Sequence, residues 1–218
     1  MSVLAGVNAA SESDLPVLAV PSLSDSLASR PSGCSRRMVD AICLAIELHA
    51  KVRSREAGMP LIGHPWATAA LVADYGGAES EVIAALLYDV VVNHAERLSL
   101  LALGERFGEE VACILQGCAE EASSQKEFLS SRRLGCLHTF AKASHSVKPV
   151  SLARKVHSVR TIVMRMRQQP IEVRGRFNAR QTALLQHHRE LIQSLRAHWS
   201  HPLINELEAA VQEVERLK

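Results

Sequence analysis

Residues 84–94 read AALLYDVVVNH, an apolar run broken in its middle by Tyr88-Asp89 and closed by Asn93-His94. Aliphatic residues flank the Tyr-Asp pair on both sides, so a helix here has no polar stripe to carry it. An acid in that setting needs a partner, because burying an uncompensated carboxylate is costly. The run therefore predicts a buried helix over about 79–92 that carries a polar site in its interior.

Working outward, helix follows helix. HPWATAALVADYGG, residues 64–77, has Pro65 in a position suited to a first turn and Gly76-Gly77 suited to an exit. Before it, Met38, Ile42, Ala45, Ile46 and His49 recur at three- and four-residue steps and predict one helical face. After the central run come helices at about 97–107 and 109–120, then a polar helix and loop over 121–148 containing Ser144-His145-Ser146. VSLARKVHSVRTIVMRM, residues 150–166, predicts a helix that stops before Pro170. The last two helices fall at about 178–198 and 202–217, the second started by Ser200 and Pro202 and striped by Leu203, Leu207, Ala210, Val211 and Val214. No strand alternation is sustained, and the fold class is all-α.

The 218 residues, 47% hydrophobic, suffice for one domain with a full core. With 25 Lys and Arg against 23 Asp and Glu, the chain presents no strong field for DNA, RNA or a membrane surface. Basic residues do gather at Arg30–Arg37 and Arg154–Arg176, as solvated faces or as phosphate-facing groups. Five cysteines, Cys34, Cys43, Cys113, Cys118 and Cys136, form no C-x-x-C pair and argue for a reducing compartment. No apolar run approaches the ~18 residues of a membrane helix, and no secretory signal is evident, so a cytoplasmic protein is expected. Residues 1–35 are Ser-rich with little helical period and read as a disordered tail ahead of a helical domain over 36–218. A non-cleaved export signal is the alternative reading of that tail.

The motifs, taken in order, carry a resemblance. LHAKVRSREAGMPLIGHP (48–65), AALLYDVVVNH (84–94), FGEEVACILQG (107–117) and VSLARKVHSVRTI (150–162) together resemble the HD-domain hydrolases of the RelA/SpoT group, above all the small stand-alone alarmone hydrolases. The resemblance implies an HD-domain helical bundle and, by descent, a (p)ppGpp 3′-pyrophosphohydrolase. It also implies a Mn²⁺ ion held by the His of an HP pair, the His-Asp of an LLHD run and the Asp of an LADK or LADR run. Such ligands hold a divalent ion that makes hydroxide from a bound water. An acidic pair following the HD positions that water and the leaving group.

Carried over residue by residue, His64 and Asp89 match metal ligands, but Tyr88 stands at the HD histidine and Arg154 at the last aspartate. Val92 and Asn93 stand at the acidic pair. A guanidinium about 4 Å from a divalent ion is repelled by roughly 8 kcal/mol at an effective dielectric of about 20. No resident cofactor is therefore expected, with Mn²⁺ only if the protein is active, and Arg154 is expected to pair with Asp89. By the resemblance, Arg53 (or Arg55), Arg160 and Thr161 match positions that contact guanosine phosphates such as ppGpp, Ser158 replaces an asparagine of the family's HNxRTL run, and Lys155 and Arg154 add positive charge near the phosphates. Arg160 and Thr161 read equally as packing between helices.

Of the remaining histidines, His49 reads as a core residue, and His187, His188, His198 and His201 as surface residues. His94 and His145 are candidate substitute ligands. Three functions follow as expectations: a catalytically impaired relative that binds a phosphorylated nucleotide or a partner, an active Mn²⁺ phosphohydrolase with rearranged ligands, or an interaction or exported effector protein on an HD scaffold.

Overall fold

A computed structural model describes residues 35–49, 62–93, 99–128, 140, 142–168 and 179–218. The expected tail up to residue 34, together with Arg53 and His94, lies outside them. The described residues form eight helices and no strand. In chain order these are α1 (Arg36–His49), α2 (Gly63–Asp74), α3 (Glu79–Asn93), α4 (Leu100–Phe107), α5 (Glu109–Phe128), α6 (Val147–Gln168), α7 (Ala179–His198) and α8 (Pro202–Arg216).

Short polar side chains start several of them. The hydroxyl oxygens of Ser35, Ser99 and Ser144 accept the backbone N–H groups of Met38, Ala102 and Val147 at 3.0, 3.1 and 3.3 Å. Each thereby satisfies a donor that the first turn leaves unpaired. At α3, Glu81 reaches back to accept the Ala78 N–H at 2.9 Å, and Glu79 and Glu81 place negative charge at the positive end of the helix dipole. α2 ends in a Schellman turn: Gly77 N–H bonds Val72 O at 2.9 Å and Gly76 N–H bonds Ala73 O at 3.0 Å. Gly76 sits at φ 80°, and a side chain at Gly77 would run into Val72.

α3 is the axis of the bundle, packing on α1, α2, α4, α5 and α6. Ile83 through Asp89 are all buried, which is why this helix is apolar on every side. α2 lies against both α3 and α6, and α8 packs on α6 and α7. This brings the start of α2, the second half of α3 and the middle of α6 together.

Some expectations change. The buried face of α1 is Ala41, Leu44, Ala45 and His49, while Ile46 is exposed, so the face is rotated from the predicted one. α5 continues to Phe128, and α6 begins at Val147 because Ser144 caps it with Pro149 inside the first turn. All five stripe residues expected on α8 are buried. Cys43, Cys113 and Cys118 are free thiols. Among the described residues no helix is long and apolar enough to cross a membrane.

Candidate functional site

Three helices supply the polar cluster: His64 from the first turn of α2, Tyr88 and Asp89 from α3, and Arg154 and His157 from α6. Arg154 and His157 are three residues apart and so share a helix face. His64 Nδ1 and His157 Nδ1 are 2.6 Å apart. At that distance one nitrogen must carry a proton and the other a lone pair, so the two imidazoles adopt opposite tautomers. Burial pushes His64 down to about 4, helped by the positive potential of His157, Arg154 and His49 and opposed by Asp89. Burial also lowers His157, with Arg160 adding and Asp89 opposing. The pair is therefore neutral at pH 7.

Arg154 does not form the expected ion pair with Asp89. Its guanidinium carbon lies 3.5 Å from the centroid of the Tyr88 ring, a face-on cation–π stack on a side chain that is 1% exposed. Such a stack contributes on the order of 2 kcal/mol when desolvated. Among the described residues, neither the Tyr88 hydroxyl nor Arg154 Nε has a hydrogen-bond partner. Burial raises the Tyr88 phenol far above its ordinary range, so it stays protonated. Asp89 instead acts on the two histidines, whose protonated forms it favours.

Lys155, expected to face phosphate, turns the other way. One residue along a helix is a rotation of about 100°, enough to point Lys155 at α5 while Arg154 points at α3. There its ammonium pairs with Glu121 at 2.7 Å, the two side chains 4% and 0% exposed. Glu121 was not singled out in the sequence, although it falls in step with the buried Val111, Ile114, Leu115 and Cys118.

His187 and His188 are buried rather than on the surface. His188 sits in step with Leu185, Ile192 and Leu195, the signal that places it inside. Burial, with Lys155 adding, lowers His187 to about 4 and holds His188 well below its ordinary value. His49 is buried as expected, whereas His201 accepts the Leu203 N–H as the cap of α8.

Of the other predicted contacts, Arg160 points to α8, where it pairs with Glu206, which also accepts the Tyr75 hydroxyl at 2.7 Å. Thr161 donates to the His157 carbonyl one turn back at 3.0 Å, and Ser158 is half-buried. Val92 and Asn93 lie in the last turn of α3, and His145 is exposed ahead of α6.

The cluster does not fit the divalent ion its resemblance implies. Among the described residues, no three His, Cys, Asp or Glu side chains gather as a metal ion requires. A guanidinium and a protonated phenol stand at two of the ligand positions. The arrangement presents a fixed cation beside imidazole edges, groups that can meet an anion.

Residues 41–182 match the HD-domain family model, and the chain belongs to the HD-domain family. Over 126 residues it is 34% identical to a probable guanosine-3′,5′-bis(diphosphate) 3′-pyrophosphohydrolase of Synechocystis sp. PCC 6803, a match covering 56% of this chain and 16% of that much longer relative. Its fold resembles that of a metazoan SpoT ortholog that hydrolyses ppGpp, with a TM-score of 0.66 at 19% identity over 85% of this chain and 97% of the other. A crystal structure from Listeria monocytogenes EGD-e aligns with a TM-score of 0.57 at 18% identity, over 72% of this chain and 99% of that one. Within the family, then, the chain is related to the ppGpp hydrolase-like proteins.

Proposed function

We propose that this protein binds a guanosine phosphate of the ppGpp class without hydrolysing it, as a cytoplasmic, catalytically impaired relative of the 3′-pyrophosphohydrolases. The observation that carries this reading is Arg154 stacked on Tyr88 where two metal ligands would stand. The support for a nucleotide is the relationship to a ppGpp hydrolase; the support for impairment is the chemistry of the replaced side chains. Arg154 and Ser158 on α6 and Arg53 are the proposed contacts. Lys155 is not one, because its charge is buried against Glu121.

The test is pyrophosphate release from ppGpp by the purified chain in excess Mn²⁺, beside calorimetric titration with the same nucleotide. Binding without release is expected. Turnover would overturn the reading in favour of a Mn²⁺ phosphohydrolase with rearranged ligands. Absence of binding would favour an interaction protein that kept only the HD scaffold.

A further inference from the structure

The way Arg154 is held says more than that a metal ligand was lost. Arg37, Arg160, Arg167, Arg189 and Arg196 have their charges matched by Glu79, Glu206, Glu213, Glu215 and Glu208. Arg154 makes no such ion pair with a described carboxylate and rests on an aromatic face. A face-on stack uses the π surface of a guanidinium and leaves its in-plane N–H donors directed outward from the edge. One of those donors, Nε, is buried without a partner among the described residues. Nε is closed off from a ligand, but the Arg154 side chain is only half-buried, and its terminal Nη groups are the donors left to meet an acceptor arriving from outside the fold. Two parallel N–H donors match the spacing of oxygens on a phosphate.

From this we infer that Arg154 takes over the role of the divalent cation, and that the site accepts a diphosphate group free of metal, so that divalent cations oppose binding instead of supporting it. The inference rests on the nucleotide reading above and adds which form of the ligand is bound. A metal-complexed diphosphate brings its own divalent charge against a guanidinium that cannot deprotonate or move off the Tyr88 ring without losing the stack. A free diphosphate meets that same guanidinium with its full negative charge. The His64–His157 pair, joined through Nδ1, leaves its Nε2 positions to offer one further N–H. Asp89 is the negative group facing these histidines, and it opposes an anion. In a metal site that carboxylate is indispensable; here removing its charge strengthens binding.

Calorimetric titration of the full chain with ppGpp, and with inorganic pyrophosphate, in EDTA and in excess Mn²⁺ tests this. Binding in EDTA is expected, weakened by Mn²⁺ by roughly tenfold or more, the scale of one charge-assisted contact. Arg154→Met, which keeps an apolar stem over the ring, is expected to lose binding in EDTA, and Asp89→Asn to tighten it. In the double variant Arg154→Asp with Tyr88→His the metal response reverses, and Mn²⁺ supports binding.

Equal or tighter wild-type binding in Mn²⁺ overturns the inference and leaves the nucleotide reading standing. So does binding untouched by Arg154→Met. Failure of both probes under both conditions overturns the two together. The wild-type Mn²⁺ response needs no variant, so misfolding of a substituted chain does not remove the decision.

Discussion

The guanidinium carbon of Arg154 lies 3.5 Å from the centroid of the Tyr88 ring, joining α6 to the central helix α3. The ring is 1% exposed, so the pair is part of the core as well as of the site. A positive charge is thus held in a polar cluster by an aromatic face, and its hydrogen-bonding edge remains to be satisfied.

Tyr88 should matter for its ring and not for its hydroxyl. Tyr88→Ala removes a buried aromatic and is expected to cost about 3–5 kcal/mol. Tyr88→Phe deletes a hydroxyl without a described partner and should change stability by less than about 1 kcal/mol. Urea unfolding followed by circular dichroism separates the two; a large loss in Tyr88→Phe would reveal a partner for the hydroxyl.

The buried Lys155–Glu121 pair should show strong non-additivity. Lys155→Met alone leaves Glu121 charged and alone in the core, at about 3–5 kcal/mol. Lys155→Met combined with Glu121→Leu replaces both charges by apolar groups and should recover most of that loss. A double-mutant cycle on denaturation midpoints measures the coupling, and simple additivity would contradict the pair.

Stability should fall with acid across the histidine range. His187 is lowered to about 4 and His188 lies well below its ordinary value, both chiefly through burial. Between the unfolded value near 6.5 and about 4, the unfolded chain binds more protons than the folded one. Stability is therefore fully present above about 6.5 and declines as pH drops, by up to about 1.4 kcal/mol per pH unit for each such histidine. Urea midpoints between pH 7.5 and 4.5 read this slope, which His187→Gln with His188→Gln should flatten. An unchanged slope in that variant would assign the acid sensitivity elsewhere.

Gly76→Ala tests the turn that leads from α2 into α3. At φ 80° a Cβ meets its own backbone, so the substitution is expected to cost about 1–2 kcal/mol. Thermal unfolding measures it; a neutral result would mean that the chain can leave α2 by another route.

Much of the bundle could be read in the chain itself, because helix periodicity and end signals are local. The apolar run around Tyr88-Asp89 announced a helix buried on all sides, Gly76-Gly77 announced the exit of α2, and the α8 stripe placed each of its five apolar residues inside. Motif order likewise put Tyr88 and Arg154 at positions where the resemblance implies metal ligands.

What Arg154 touches was decided by tertiary structure alone. Asp89 and Tyr88 are adjacent on α3, and which of them meets the guanidinium depends on the rotation and separation of α3 and α6, which no local pattern encodes. The same holds for Lys155: a rotation of about 100° from Arg154 turns a candidate phosphate contact into the partner of Glu121. His188 was legible from its step with Leu185, Ile192 and Leu195, whereas His187 went inside because α7 packs it there, and burial lowers both. Sequence thus determined which segments are helices and which faces are apolar; packing determined how each buried charge is compensated, because that compensation lies between helices distant along the chain.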